Sequence, residues 1–536
     1  MVNSLKENLQ NKRYLIVLEE MWNNKHNEWD DMLKTLLPIG AHGSKVIVTT
    51  PSNEVTLKTR SFSFVAMELS KVKKLRTFIS TTPEFIDNTY AMQIFMNFSH
   101  IRVLDLSCNA ITELPPSIAK LKHLRYLNLS NSRLSKLPNS ITTLYHLQSL
   151  ILKNCFELKD LPRGMKKLIN LRHLIICKSQ ANAWIPPMPR EVSSFRSLEE
   201  LSLIGMPNLL EWSDHMSSPS SASSSFPSSF PRLERLEIKA CHKLTIMPNR
   251  FPFLKVLKLE HCNGEPVSSL VDSNLTSLTS VDIAFCKELV FLPRGLLRGN
   301  NMLQSLEVSN CEMFQGFNPD QELDEEGQSR LLPNNSLDSL SLFNCPALVS
   351  WPDLRGFNSL WVLGINVCKR QKSIPNGIEH LPKLVILGIG GFSEELESSP
   401  FPAFNNEEGT LQRHYFPSLR TLYIYGWSKL KCLPDQIQYL TSLQYLLIYN
   451  FDSLEALPEW LGNLASLRYL SIWKCENLKY MPSAEQMQRL TSLQQLEIHF
   501  CPLLVDRCIE GGEEYSKISH IPNQEPFLAM GNPTLR

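Results

Sequence analysis

The chain has 536 residues, 43% of them hydrophobic and 20% charged, with 54 Lys and Arg against 53 Asp and Glu. That length exceeds one ordinary core, and the composition is that of an ordered protein rather than a solvated tail. A formal net charge of +1 supplies no global field to draw in nucleic acid or an acidic membrane surface, so a partner must be recognised by local surface chemistry.

The first apolar run, Tyr14 to Leu18, ends at Glu19 and Glu20. It is too short for the core of a secretory signal and far too short to span a bilayer, and no later segment is long enough. Without a signal, the thirteen cysteines are expected to stay reduced, in the cytosol or the nucleus. Residues 61–100 are read as a linker and an N-terminal capping repeat.

From Ile101 onward the pattern L-x-x-L-x-L recurs, as in Leu124/Leu127/Leu129, Leu147/Leu150/Leu152, Leu254/Leu257/Leu259, Leu467/Leu470/Ile472 and Leu493/Leu496/Ile498. Anchors at 101, 124, 147 and 171 are spaced by 23, 23 and 24 residues, inside the leucine-rich-repeat period. About sixteen such units fill residues 101–505, with a C-terminal cap and tail over 506–536. Each unit supplies a short strand whose alternate residues face inward, so that stacked neighbours bury one another's aliphatic side chains. Many units continue L-x-x-L-P, as in Leu134 to Pro138 and Leu454 to Pro458, where proline stops a return strand and turns the chain along the convex side. The fold class expected is α/β: a leucine-rich-repeat solenoid with a curved parallel sheet on its concave face.

Nine cysteines, Cys155, Cys241, Cys262, Cys286, Cys311, Cys345, Cys368, Cys475 and Cys501, fall three residues after a strand's last aliphatic. They read as a buried, unreactive column rather than as metal ligands. Three units run long, and their extra residues form loops: Ser217 to Ser229, Asp320 to Glu326, and roughly Ser393 to His414. These are partner contacts or tolerated surface insertions.

The inner face is the usual ligand surface of such an array. Near the C-terminal end, the residue after each strand's last aliphatic runs Tyr425, Tyr449, Trp473, His499, with Tyr423, Tyr445 and Tyr469 close by. Tyr and Trp dominate protein interfaces, so this strip suits a protein partner; alternatively, the rings simply pack on one another. Farther toward the N-terminus, Glu237, Glu260, Asp282 and Glu307 among Lys239 and Lys258 are read as a solvated face.

The segment from Lys12 to Trp22, followed by Gly43-Ser-Lys-Val-Ile-Val-Thr-Thr50, resembles the second half of the nucleotide-binding domain of plant intracellular immune receptors. These are the disease-resistance proteins of the coiled-coil, nucleotide-binding, leucine-rich-repeat family. The stretch from Cys501 to Cys508, and on through Lys517 to Pro522, looks like the tail that closes their repeat domain. The resemblance implies a small N-terminal α/β piece related to P-loop NTPases over residues 1–60, and a role in plant defence and innate immunity. It also implies a protein partner, either a pathogen effector or a host protein, and association with a full-length member of the family. In that family ADP or ATP with magnesium is held beside acids at the position of Glu19 and Glu20, and near Thr49 and Thr50. This chain carries glutamates where aspartates are usual, Pro51 where an arginine senses the nucleotide, and no G-x-x-x-x-G-K-[ST] phosphate loop.

The expectation is therefore a binding protein without catalysis, cofactor or metal. The rivals are an ADP/ATP-binding signalling switch, a truncated decoy or adaptor, and an extracellular repeat receptor, which would need a secretory signal and terminal disulfides.

Overall fold

In the computed structural model of the chain, the described residues are 75–79, 86–158, 161–162, 164–177, 195–206, 230–244, 251–263, 275–292, 295–298, 300–317, 336–349, 351, 354–396, 401, 416–427 and 429–526, together with the backbone of Leu15–Leu18 and Lys45–Val48. Those last two strands pair in parallel. Glu19, Glu20, Thr49 and Thr50 lie outside the described residues, as do the first two inserted loops and most of the third.

The chain divides into two compact units, Met1–Phe253 and Leu254–Arg536. In the first, the strands Thr77–Ile79, Val103–Asp105, Tyr126–Asn128, Ser149–Lys153, His173–Cys177, Glu200–Ile204 and Arg235–Lys239 pair in parallel, each with the next in the chain. In the second, the same order holds for Val256–Glu260, Ser280–Ala284, Ser305–Ser309, Ser339–Phe343, Val362–Asn366, Ile386–Gly390, Thr421–Tyr425, Tyr445–Tyr449, Tyr469–Trp473, Gln495–His499 and Asn523–Pro526. This is a leucine-rich-repeat solenoid fold. Counted from Ile101, and leaving aside the closing strand, the described strands of the two ladders make sixteen repeats, as the spacing of the anchors predicts.

Within each repeat the inward positions are the aliphatic ones. Leu127, Leu129 and Ile472 are fully buried and Leu470 is 1% exposed, each contributing roughly 1.5–3 kcal/mol through burial. Behind the strands the L-P sequences behave as a fixed-φ residue should. Pro115, Pro138, Pro434 and Pro458 each immediately precede a short 3-10 turn, at Pro116–Lys120, Asn139–Thr143, Asp435–Tyr439 and Glu459–Asn463. In these four repeats the chain after the proline is therefore a helical turn.

The cysteine column has a local cause that spacing alone does not reveal. The residue before each of the nine, from Asn154 and Ala240 to Lys474 and Phe500, has positive φ. This left-handed step ends the strand, and the cysteine after it is buried. Every one of the nine thiols then donates to the carbonyl two residues back, at 3.3 to 3.8 Å. Burial pushes the thiols of Cys241 and Cys368 up to about 12 and that of Cys345 to about 11, which keeps them protonated and non-nucleophilic in neutral solution. All thirteen cysteines are free thiols.

The C-terminal end is closed by a helix at Pro502–Cys508, a short one at Tyr515–Ile518, and the strand Asn523–Pro526 laid against Gln495–His499. Glu514, only 3% exposed, accepts from the Met481 amide at 2.8 Å and from Lys517 Nζ at 2.7 Å. One carboxylate thus joins the cap to an earlier repeat.

Candidate partner-binding face

Side chains alternate across a strand, so the outward residues of consecutive parallel strands fall into columns. Over the four strands from Thr421–Tyr425 to Gln495–His499 there are three. One runs Thr421, Tyr445, Tyr469, Gln495; the middle one runs Tyr423, Leu447, Ser471, Glu497; the third runs Tyr425, Tyr449, Trp473, His499. The column expected from the sequence is therefore formed in register, and the three neighbouring tyrosines are distributed over the other two.

The rings touch along and across these columns. Tyr445 stacks on Tyr469 with centroids 6.1 Å apart and meets Tyr423 edge-on at 5.7 Å. Tyr425 lies 5.6 Å from Tyr449, and Trp473 lies 4.2 Å from His499 and 5.9 Å from Phe500. Lys474 Nζ sits over the Tyr449 ring at 5.6 Å. Exposure is uneven: Tyr469 and Phe500 are open to solvent, the other rings are half-buried, and Tyr425 is 8% exposed. Tyr425 therefore departs from the exposed strip anticipated, because its ring is spent on packing beside Tyr449.

Between the two outer columns runs a polar chain that the search for aromatics overlooked. The Trp473 indole N–H donates to Ser471 Oγ at 2.8 Å, and Ser471 donates to Glu497 Oε2 at 3.0 Å. Gln495 Nε2 donates to Glu497 Oε1 at 2.6 Å. Burial pushes the Tyr445 hydroxyl's pKa up, the Glu497 carboxylate and Tyr423 push it further, and a hydrogen bond with Ser471 opposes them. Reading every second residue of each strand, rather than only the one after the last aliphatic, would have found Ser471 and Glu497 in the sequence.

Elsewhere on the outward faces the charges answer one another. In the first unit Lys239 pairs with Glu237 at 3.1 Å, and Ser202 also donates to Glu237. In the second, Lys258 pairs with Asp282 at 3.4 Å, and the pKa of the neighbouring Glu307 is raised by burial and by Asp282 against the pull of Lys258. The first unit also carries half-buried Ile151, Ile175, Cys177 and Ile204 on its outward face, an aliphatic patch that the sequence reading did not single out.

The positions to which the resemblance assigns nucleotide contacts, Glu19, Glu20, Thr49 and Thr50, lie outside the described residues. Among the described residues no group of three or more His, Cys, Asp or Glu could hold a metal ion. No helix among them is long and apolar enough to cross a membrane.

The profile of the leucine-rich repeat region matches residues 58–218 and 336–517, more than half of the sequence. The chain belongs to the leucine-rich-repeat family. The NB-ARC domain profile matches residues 1–76 of this leucine-rich-repeat protein, and the two in that order give an architecture of the nucleotide-binding, leucine-rich-repeat type, like that of resistance proteins. Solved structures similar to it include a leucine-rich-repeat protein of Leptospira interrogans, with 19% identity, 81% of this chain and 86% of that chain covered, and a TM-score of 0.45. The repeat ectodomain of the Arabidopsis receptor kinase HAESA, in complex with an extended IDA peptide hormone ligand, shares 17% identity over 76% of this chain and 68% of that one, at a TM-score of 0.38. The functional domain of InlJ from Listeria monocytogenes shares 15% identity over 77% and 69%, at 0.32.

Proposed function

We propose that this leucine-rich-repeat protein serves plant defence as an intracellular immune-receptor-like protein, and that its outward face over residues 421–499 docks a protein partner, either a pathogen effector or a host protein. The observation that carries this reading is the column Tyr425, Tyr449, Trp473, His499 held in register on four consecutive strands, with Tyr445 and Tyr469 adjacent in the outer column on the other side. Rings fixed by a parallel ladder lose little conformational freedom on binding, and large amphipathic side chains of this kind supply most interface energy. The protein binds rather than catalyses, needs no cofactor, and works in the cytosol or nucleus, with association with a full-length family member as one route to a signal.

The test is capture of partners by the full chain from challenged plant tissue, quantified by mass spectrometry. Tyr449→Ala combined with Trp473→Ala is expected to lower affinity for the captured protein by about 2 kcal/mol or more, roughly thirtyfold in Kd. A partner retained at full strength by the double variant contradicts the assignment of this face.

A further inference from the structure

We infer that the aromatic face is specific for a basic side chain of its protein partner, an arginine above all, seated on Glu497. This rests on the docking reading above and sharpens it.

Glu497 follows Leu447 and Ser471 in the middle column, which are 9% and 2% exposed, and its backbone stands in register with Glu525 of the closing strand. Its neighbours in the same strand and the preceding one are Gln495, His499, Tyr469 and Trp473. Both carboxylate oxygens are held by neutral donors, Ser471 on Oε2 and Gln495 on Oε1. No cation among the described residues lies within ion-pair distance of it, whereas Asp282 on the outward face of the same unit has Lys258. The hydrogen bonds fix where the charge points without neutralising it. What remains is a half-buried, oriented anion beside π faces.

Such a setting selects by chemistry. A carboxylate bordered by rings attracts a cation twice, through its own charge and through the ring quadrupoles. The chain already illustrates the second effect with Lys474 over Tyr449 and with Arg507 over Tyr480 at 4.8 Å. Guanidinium suits the place better than ammonium: its plane stacks on an aromatic ring, with Tyr469 the open one, and its fork engages a carboxylate while shedding water at lower cost. An acidic or purely aliphatic anchor would leave Glu497 repelled or desolvated without a counter-charge.

The experiment uses the full chain labelled with 5-fluorotryptophan, with the Trp473 fluorine resonance assigned by its loss in Trp473→Phe. The probes are acetyl-Gly-Gly-Arg-Gly-Gly-amide and its citrulline twin, which keeps the shape and hydrogen-bonding edge but not the charge. A saturable shift of the Trp473 signal with the arginine peptide is expected, with the citrulline peptide binding at least about tenfold more weakly. Glu497→Gln, which preserves an acceptor for Ser471 and so the fold, is expected to weaken the arginine peptide by a similar factor. Equal binding of the two peptides, or an unchanged shift in Glu497→Gln, overturns the inference. If in that case Tyr449→Ala with Trp473→Ala still releases the captured partner, the docking face stands and only its preference for a basic anchor falls.

Discussion

Replacing Glu514 by alanine is expected to cost about 3–5 kcal/mol and to loosen the C-terminal cap. The side chain is nearly inaccessible, and a single oxygen receives both the Met481 amide and the Lys517 ammonium. Lys517 Nζ has a further contact of 3.4 Å with the Met481 carbonyl, so the pair links the short helix Tyr515–Ile518 to the repeat that contains Met481. Removing the carboxylate leaves one buried amide without an acceptor and one partly buried cation with only the Met481 carbonyl, which is worse than never having placed the pair there. Glu514→Gln keeps an acceptor for the amide and loses only the ionic part, so it should fall between alanine and the native chain. Glu513→Ala is the comparison, because Glu513 is 74% exposed and its contact with Arg507 is worth about 0–1 kcal/mol. Chemical denaturation followed by hydrogen exchange at Met481 and along Gln495–His499 reads all three. A cost for Glu513→Ala equal to that of Glu514→Ala contradicts the role given to the buried pair.

Leu470→Ala is expected to destabilise the second unit by about 2–5 kcal/mol. Leu470 is 1% exposed and stands in register between Leu446 and Leu496, so its removal opens a cavity lined by residues whose strands are fixed on both sides and cannot collapse into it. Because each repeat contacts mainly its neighbours, the loss should appear first as faster amide exchange in the flanking strands, from Tyr445–Tyr449 to Gln495–His499. Val349→Ala, at a residue 54% exposed, should change stability by less than about 0.5 kcal/mol. Similar effects at both positions would mean that periodic aliphatic burial is not what holds the ladder.

The ladder was legible in the sequence because its cause is periodic. Leu127, Leu129, Leu470 and Ile472 face inward for the same reason that they recur, and the chain of parallel pairings follows from stacking them. The burial of the cysteine column was legible too, though not its mechanism: a left-handed residue before each thiol is a backbone state, and residues as unlike as Asn154, Ala240, Phe285 and Val367 adopt it. Composition could not have announced that. The cap lock was hidden because Glu514 and Met481 are 33 residues apart and share no pattern. On the candidate face, register brought Tyr425, Tyr449, Trp473 and His499 together as expected. Burial, however, depends on which way each ring leans, so the packing of Tyr425 and the hydrogen bonds that orient Glu497 emerged only from three-dimensional contacts.

Site-directed photo-crosslinking decides whether a partner sits on the outward face over residues 421–499. A benzophenone amino acid placed at Tyr449, on that face, is expected to give a discrete covalent adduct with a protein from challenged tissue. The same group at Tyr439, 58% exposed at the end of the return turn Asp435–Tyr439, is expected to give none. Adducts from position 439 alone, or equally from both, would mean that the partner does not dock on this face.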